Sequence, residues 1–279
     1  MTVDRNIAAR ELLAFYIEAG VDFAVGEAPV NRFANTTATE TTARAAAEGA
    51  AAAVARGIDQ RPSPDVAART SAAPAAPPAP EVAIMAAREA ARNAASLEEL
   101  RTILDGFDGC ALKGTARRLV FADGNPQARV MFVGEAPGRD EDIEGLPFVG
   151  RSGKLLDRMM AGIGLDRRSA YIANVVPWRP PGNRTPTPQE SAVCLPFTLR
   201  QIELADPDIL VCLGSPSTQT LLNSKDGILK TRGRWLPFHT GTREIRAIAT
   251  LHPAYLLRQP LQKRFAWRDF LAIKKALAT

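Results

Sequence analysis

The chain has three cysteines and two histidines in 279 residues. Three cysteines exclude a disulfide scaffold. Two histidines leave little room for a His-rich metal site or a proton shuttle. Aromatic residues make up only 6%, and none occurs between Phe33 and Phe107. There is no run of about 18 apolar residues, which argues against a membrane span. The first residues (MTVDRNIAARELL) are too charged for a secretory signal. A Walker-type phosphate loop is missing too: in GRSGK (150–154), Arg151 and the following Leu155 stand in the wrong places. These absences lead us to expect a soluble, cytoplasmic protein without a resident metal.

What is present is unevenly spread. The net charge of +5 is an average: residues 1–100 carry 9 basic and 13 acidic side chains, and residues 101–279 carry 26 and 17. The basic excess therefore belongs to the C-terminal part, where it fits a nucleic-acid partner. Residues 41–80 contain 16 Ala and 6 Pro. Such a segment buries too little apolar area to offset its conformational entropy. The expected organisation is a short helical segment over 1–35, an Ala/Pro-rich disordered linker over 36–82, and one domain over 83–279. In the first segment a helix over 8–19 ends at Gly20.

Within the domain, helices are expected over 82–95 and from Ser96 to about 104. Ser96 and Glu99 have capping-box spacing. Apolar strands then follow at 129–134, 170–174, 208–214 and 244–251. They alternate with helices at 153–163, 187–204, 215–222 and 264–278. Near-continuous apolar strands between helices indicate an α/β fold, a three-layer sandwich around a central, mainly parallel four-stranded sheet. Ligands of such sheets bind outside the carboxyl ends of the strands. Those ends carry Glu135 and Glu141 after the first strand, Asn174 with Asn183 and Arg184 after the second, Gly214-Ser215 after the third, and His252 after the fourth.

Three runs stand out: Gly134-Glu135-Ala136-Pro137-Gly138 continuing to Glu141-Asp142 and Pro147-Phe148-Val149-Gly150; Asn174 continuing to Asn183-Arg184-Thr185-Pro186; and His252-Pro253-Ala254-Tyr255-Leu256-Leu257-Arg258. Together they resemble the family 4 uracil-DNA glycosylases, over about residues 107–279. The resemblance implies base flipping, hydrolysis of the uracil–deoxyribose bond and an abasic product in DNA repair. It makes Phe148 the platform under the flipped base and Asn174 the reader of the pyrimidine edge. His252 becomes the donor to uracil O2, an oxyanion-type stabiliser. Ala136 lines the base site, where another glycosylase class places an Asp. Glu135 and Glu141 are the candidate catalytic carboxylates, Glu135 being preferred. Ser152, Gly153, Asn183, Arg184 and Arg258, with Lys263 and Arg264, are candidate DNA contacts. Leu256 or Leu257 is the candidate wedge filling the vacated stack. The same residues have plain structural roles open to them: a core Phe, a strand-end Asn, a turn-capping His, loop-holding carboxylates and core leucines.

The family's [4Fe–4S] cluster needs four cysteine ligands. This chain retains only Cys110 and Cys194 at those positions, with Phe107 and Trp178 at the other two. Cys212 lies in an apolar strand. The expected cofactor is therefore none. The expected partner is uracil-containing DNA, single- or double-stranded, bound by a monomer, with the N-terminal segment free to recruit a protein. The alternative is a catalytically weak uracil- or abasic-site trapping protein of the same fold. A nucleotide hydrolase is disfavoured by the missing lysine loop.

Overall fold

The computed structural model of the protein describes residues 80–278. The expected helix over 8–19 and almost all of the Ala/Pro linker lie outside the described residues. The first described helix, α1, spans Pro80–Arg92. Its start within the expected linker fits a proline at the head of a helix, where the missing N–H costs nothing. Helix α2 (Leu97–Gly106) begins as expected: the Ser96 hydroxyl accepts from the Glu99 N–H at 3.1 Å.

The centre is a six-stranded sheet in the order β1-β3-β2-β4-β6-β5. Four strands read from the sequence form its parallel middle: β2 (Val130–Gly134), β3 (Tyr171–Asn174), β4 (Ile209–Leu213) and β6 (Glu244–Thr250). Two antiparallel edges extend it, β1 (Ala122–Gly124) and β5 (Trp235–His239). β1 is Ala-Asp-Gly, without an apolar signal, and β5 (Trp-Leu-Pro-Phe-His) is apolar but interrupted by Pro237, which an edge strand tolerates.

Side-chain alternation divides the core. Met131 and Val133 of β2, with Leu210 and Cys212 of β4, face one cluster that also takes Leu100 of α2 and Phe197. Val130, Phe132, Ile209 and Val211 face the other, which takes Leu156 and Phe270. Helices α1, α2 and α5 (Pro188–Ala205) therefore cover one face. Helices α4 (Arg151–Gly162) and α9 (Lys263–Leu277) cover the other. Helix α5 starts at Pro188 after a complete capping box between Thr187 and Glu190. Short helices α3 (Arg139–Glu144), α6 (Ser215–Leu222), α7 (Ile228–Thr231) and α8 (Pro253–Arg258) fill the connections.

The chain runs from β2 outward to β3, then crosses back to β4 on the other side of β2. Connections therefore leave in opposite directions above β2 and β4. This is the switch point where doubly wound sheets bind ligands.

Candidate active site at the carboxyl edge of the sheet

A cleft of about 550 Å³ opens above these strand ends. The parallel register brings the ends level, pairing Gly134 with Asn174 and Leu213 with Thr250. Glu135, Ala136, Phe148, Asn174 and His252 all line the cleft, and so do Glu141, Ser152, Asn183, Arg184 and Arg258. Residues more than a hundred positions apart in sequence thus meet because successive parallel strands end at one edge.

Phe148 is held under constraint. It is 4% exposed and has φ 56°, a left-handed conformation costly for a bulky residue. Its carbonyl accepts from Arg167 Nη2. The same guanidinium donates to the Pro147 carbonyl at 3.1 Å and to Asp157 at 2.9 Å, and pairs with Asp123. Arg167 is a positioning residue that the sequence did not announce: it sits in an Asp-Arg-Arg-Ser turn 19 positions from the residue it clamps. From the cleft side, the Phe148 ring lies 5.6 Å from the His252 ring, centre to centre.

Gly134 explains how Phe148 and Asn174 share the floor. A methyl group there would stand 2.4 Å from Asn174 Oδ1 and 2.6 Å from Phe148 Cζ. Asn174 is 5% exposed, and its side-chain amide makes no hydrogen bond within the described residues. That amide borders the cleft, where water or a ligand can pair it.

His252 is the N-cap of α8. Its Nδ1 accepts from the Ala254 N–H at 3.1 Å. That bond requires an unprotonated Nδ1, so the neutral ring carries its proton on Nε2. Burial, with the Arg258 charge nearby, pushes its pKa down to about 4. Near neutral pH the ring is an uncharged Nε2–H donor. The capping role and the donor role use different nitrogens and are compatible. Thr250, two residues earlier, is anchored by donating to the buried Asp269 carboxylate at 2.7 Å.

The two carboxylates divide. Both oxygens of Glu141 accept backbone N–H groups, from Gly138 at 3.1 Å and Gly150 at 3.0 Å. Glu141 therefore caps the start of α3 through the Gly138 N–H and ties it to the loop carrying Phe148. Glu135 is different. Its Oε1 is buried without a hydrogen-bond partner. Burial holds its carboxyl above the usual range, with Thr185 beside it pulling the other way.

The candidate DNA contacts differ in what they already touch. Gly153 lies against the Phe148 carbonyl, which would be 1.6 Å from a methyl there, so no larger residue fits. Arg184 is already paired, bidentate, with Glu190 at 2.8 and 2.6 Å. Asn183 accepts from Arg179 at 2.7 Å. Leu256 is fully buried beside Leu251 and Ala266, and that burial removes it from any wedge role. Leu257 is half exposed at 37%, and Arg258 is exposed. Lys263 and Arg264 are exposed at the head of α9, outside the cleft lining.

Cys110 and Cys194 meet below the sheet edge, the Cys194 thiol donating to Cys110 at 3.8 Å. This contact, reinforced by burial, pushes the Cys194 thiol well above its usual range. The same contact draws Cys110 down against the opposing effect of its burial. Trp178 is 2% exposed in the same core, and Phe107 meets Phe197 edge-on at 5.0 Å. Cys212 is fully buried in β4, and burial raises its thiol. Among the described residues, no three His, Cys, Asp or Glu side chains gather to hold a metal ion.

Comparison with known proteins adds a family. Residues 121–271 match the family model of the uracil DNA glycosylase superfamily. The chain is 42% identical over 182 residues to a type-4 uracil-DNA glycosylase of Archaeoglobus fulgidus; the match covers 64% of this chain and 92% of that protein. It is 44% identical over 150 residues to the type-4 enzyme of Thermotoga maritima, covering 53% and 77%. With the enzyme of Saccharolobus solfataricus it shares 41% over 175 residues, covering 61% and 81%.

Proposed function

The chain belongs to the uracil-DNA glycosylase superfamily, and from that premise we propose how its cleft acts. The protein is a monofunctional uracil-DNA glycosylase of DNA repair, hydrolysing the N-glycosidic bond to leave an abasic site. The observation that carries this reading is the meeting of Phe148, Asn174 and His252 in one cleft.

A uracil extruded from the stack lies on the Phe148 ring. The Asn174 amide accepts from N3–H and donates to O4. Cytosine reverses that pattern, and an amide held in this orientation rejects it. His252 Nε2–H donates to O2, where negative charge accumulates as the bond breaks. An uncharged donor, fixed in place beforehand, stabilises that charge without reorganising. The Glu135 carboxylate, buried and unpaired on Oε1, is the group available to orient water or to stabilise the cationic sugar. Glu141 acts through the loop it holds. No lysine lines the cleft, which supports hydrolysis without a covalent amine step. Arg258 and Ser152 border the cleft where the DNA backbone would run.

A four-thiolate cluster does not fit the residues present. Two thiols stand in mutual contact, and the other two positions hold aromatic side chains packed in the core. The protein on this reading works without iron, as a cytoplasmic monomer. Stoichiometric iron with a visible absorption band in the purified protein would refute this.

The test of function is incubation with a uracil-containing oligonucleotide in EDTA, followed by alkali. Strand cleavage only after alkali is expected. A retarded or covalent band without an alkali-labile product would favour the trapping alternative, and no effect would overturn both.

A further inference from the structure

Asp269, on the inner face of α9, is 2% exposed and is engaged from three sides. Arg232 holds its carboxylate in a bidentate pair, Nε donating at 2.9 Å and Nη2 donating to the other oxygen. The Thr250 hydroxyl donates to it at 2.7 Å. Gly233, with φ 74°, passes so close that a methyl there would stand 2.6 Å from Asp269 Oδ1. None of Arg232, Thr250 and Asp269 lines the cleft. A buried ion pair is weak evidence for stability, because desolvation offsets much of the attraction. What this pair supplies is a fixed geometry, since Arg232 follows α7, Thr250 ends β6 and Asp269 belongs to α9.

These elements meet where the sheet ladder stops. On one side of β6, pairing with β4 runs as far as Thr250; on the other, pairing with β5 ends at Ile248. On that second side the strand end is held by other means. The Gly233 N–H donates to the Ala249 carbonyl at 2.9 Å, and Asp269 takes the Thr250 hydroxyl. Arg232 is itself tied down. Its N–H donates at 2.8 Å to the carbonyl of Ile228, which lines the cleft, and its Nη2 donates to the Phe265 carbonyl at 2.7 Å. The Thr250 carbonyl accepts from the Gly214 N–H at 2.8 Å, and a methyl on Gly214 would stand 2.9 Å from His252 Cβ. His252 follows two residues after Thr250, a span of at most about 7 Å. The anchored strand end is thus the mount of the cleft histidine.

We propose that Arg232 and Asp269, acting through Thr250, are positioning residues that fix the His252 donor where charge develops on uracil O2. The inference rests on the glycosylase reading and deepens it. Arg232 immobilises the carboxylate by binding both oxygens, the carboxylate immobilises Thr250, and Thr250 fixes the backbone from which His252 projects. An oxyanion-type donor is effective because it is in place before the charge forms. A displacement of about 1 Å at such a group costs on the order of 10²-fold in rate. Releasing Thr250 permits part of that displacement. The loss falls on the chemical step and not on DNA binding, since the three residues lie outside the cleft lining.

The experiment measures single-turnover excision and equilibrium binding of a uracil oligonucleotide, beside a thermal melt. Variants are Thr250→Val, Thr250→Ser and Asp269→Asn, each alone and combined with His252→Ala. Thr250→Val keeps the side-chain volume and the Arg232–Asp269 pair. It is expected to lose about 10-fold in rate, with affinity within about twofold of wild type. Thr250→Ser restores the hydroxyl and should return the rate to within about threefold of wild type. Asp269→Asn should lose at least as much as Thr250→Val. In the His252→Ala background, Thr250→Val should add less than about twofold, because the group it acts through is gone. A lower melting temperature with an unchanged rate for Thr250→Val is the mark of a merely structural role and overturns the proposal. So does a loss of full size that persists without His252, or a loss confined to affinity. If Asp269→Asn does not fold, Thr250→Val decides alone. A wild-type protein inert on the oligonucleotide refutes the glycosylase reading itself, and is seen before any variant is made.

Discussion

Replacing Gly134 by alanine tests the geometry of the base site without touching a reacting group. Gly134 ends β2 in extended backbone that alanine adopts freely, so the change acts only through the added methyl. That methyl would stand 2.4 Å from Asn174 Oδ1 and 2.6 Å from Phe148 Cζ, where ordinary contact begins at 3.4 Å. Each group must therefore retreat by about 1 Å, or the strand must bend by a similar amount. Phe148 has little freedom to retreat, because Arg167 holds its carbonyl and Gly153 packs beneath it. Overpacking of this kind costs about 1–3 kcal/mol of stability, so the protein should remain folded with a lower melting temperature. A displacement of about 1 Å at a positioned group costs on the order of 10²-fold in rate. Single-turnover excision, read beside a thermal melt, is the assay. Gly227→Ala, where a methyl meets nothing within 4 Å, is the control. A folded Gly134→Ala protein with a near wild-type rate would refute the claim that Phe148 and Asn174 form a close-fitted floor.

Four further outcomes follow from the same site. His252→Ala and Asn174→Ala should each lower the single-turnover rate by at least about 10², the scale of a lost oxyanion-type donor; near-normal rates in both would remove the site assignment. Glu135 titrates above the usual carboxylate range, so a base role makes activity rise with pH through that raised value. Glu135→Gln should abolish this acid limb, whereas His252, with its pKa near 4, should add no limb near 6.5. The proton His252 takes up on unfolding also makes stability complete above about 6.5 and progressively lost as pH falls through about 4, which melts at several pH values read directly. Arg167→Ala frees a strained Phe148 and strands two carboxylates, so stability should fall by about 2–4 kcal/mol. Arg167→Lys should recover less than half of the activity, since a lysine cannot reach carbonyl and carboxylates at once.

The residues that were legible in the sequence share one property. Glu135, Asn174 and His252 each lie at the end of an apolar strand or within two residues of it, so the rule that parallel strands end at a common edge was enough to assemble them. What was not legible depends on where a side chain points or what it already binds. Phe148 follows a loop, and its left-handed backbone is visible only with Arg167 in place. Glu141 reads like a second active-site carboxylate until its two backbone donors are seen. Leu256 and Leu257 are alike by composition and separate only by burial, because helical phase decides which faces the core. The edges β1 and β5 escaped because an edge strand needs neither apolar alternation nor freedom from proline.

The surroundings of the cysteine pair bear on what supports the floor of the site. Asn174, Cys194, Phe197 and Thr198 line a residual void of only about 10 Å³, so the space behind the base-reading amide is already filled. Phe107 braces Phe197 from outside, and Thr198 donates to the Val175 carbonyl at 2.9 Å. Support for Asn174 therefore comes from aromatic packing and a backbone bond rather than from the thiols. A Cys110→Ser, Cys194→Ala double variant should consequently stay folded. Loss of one buried sulfur contact pair is expected to cost about 1–3 kcal/mol, seen as a melting temperature lower by several degrees. Excision should remain within about threefold of wild type. If the variant instead unfolds, or loses activity together with protein-bound iron, the thiols were holding a cluster. The packing account of Phe107 and Trp178 would then fall.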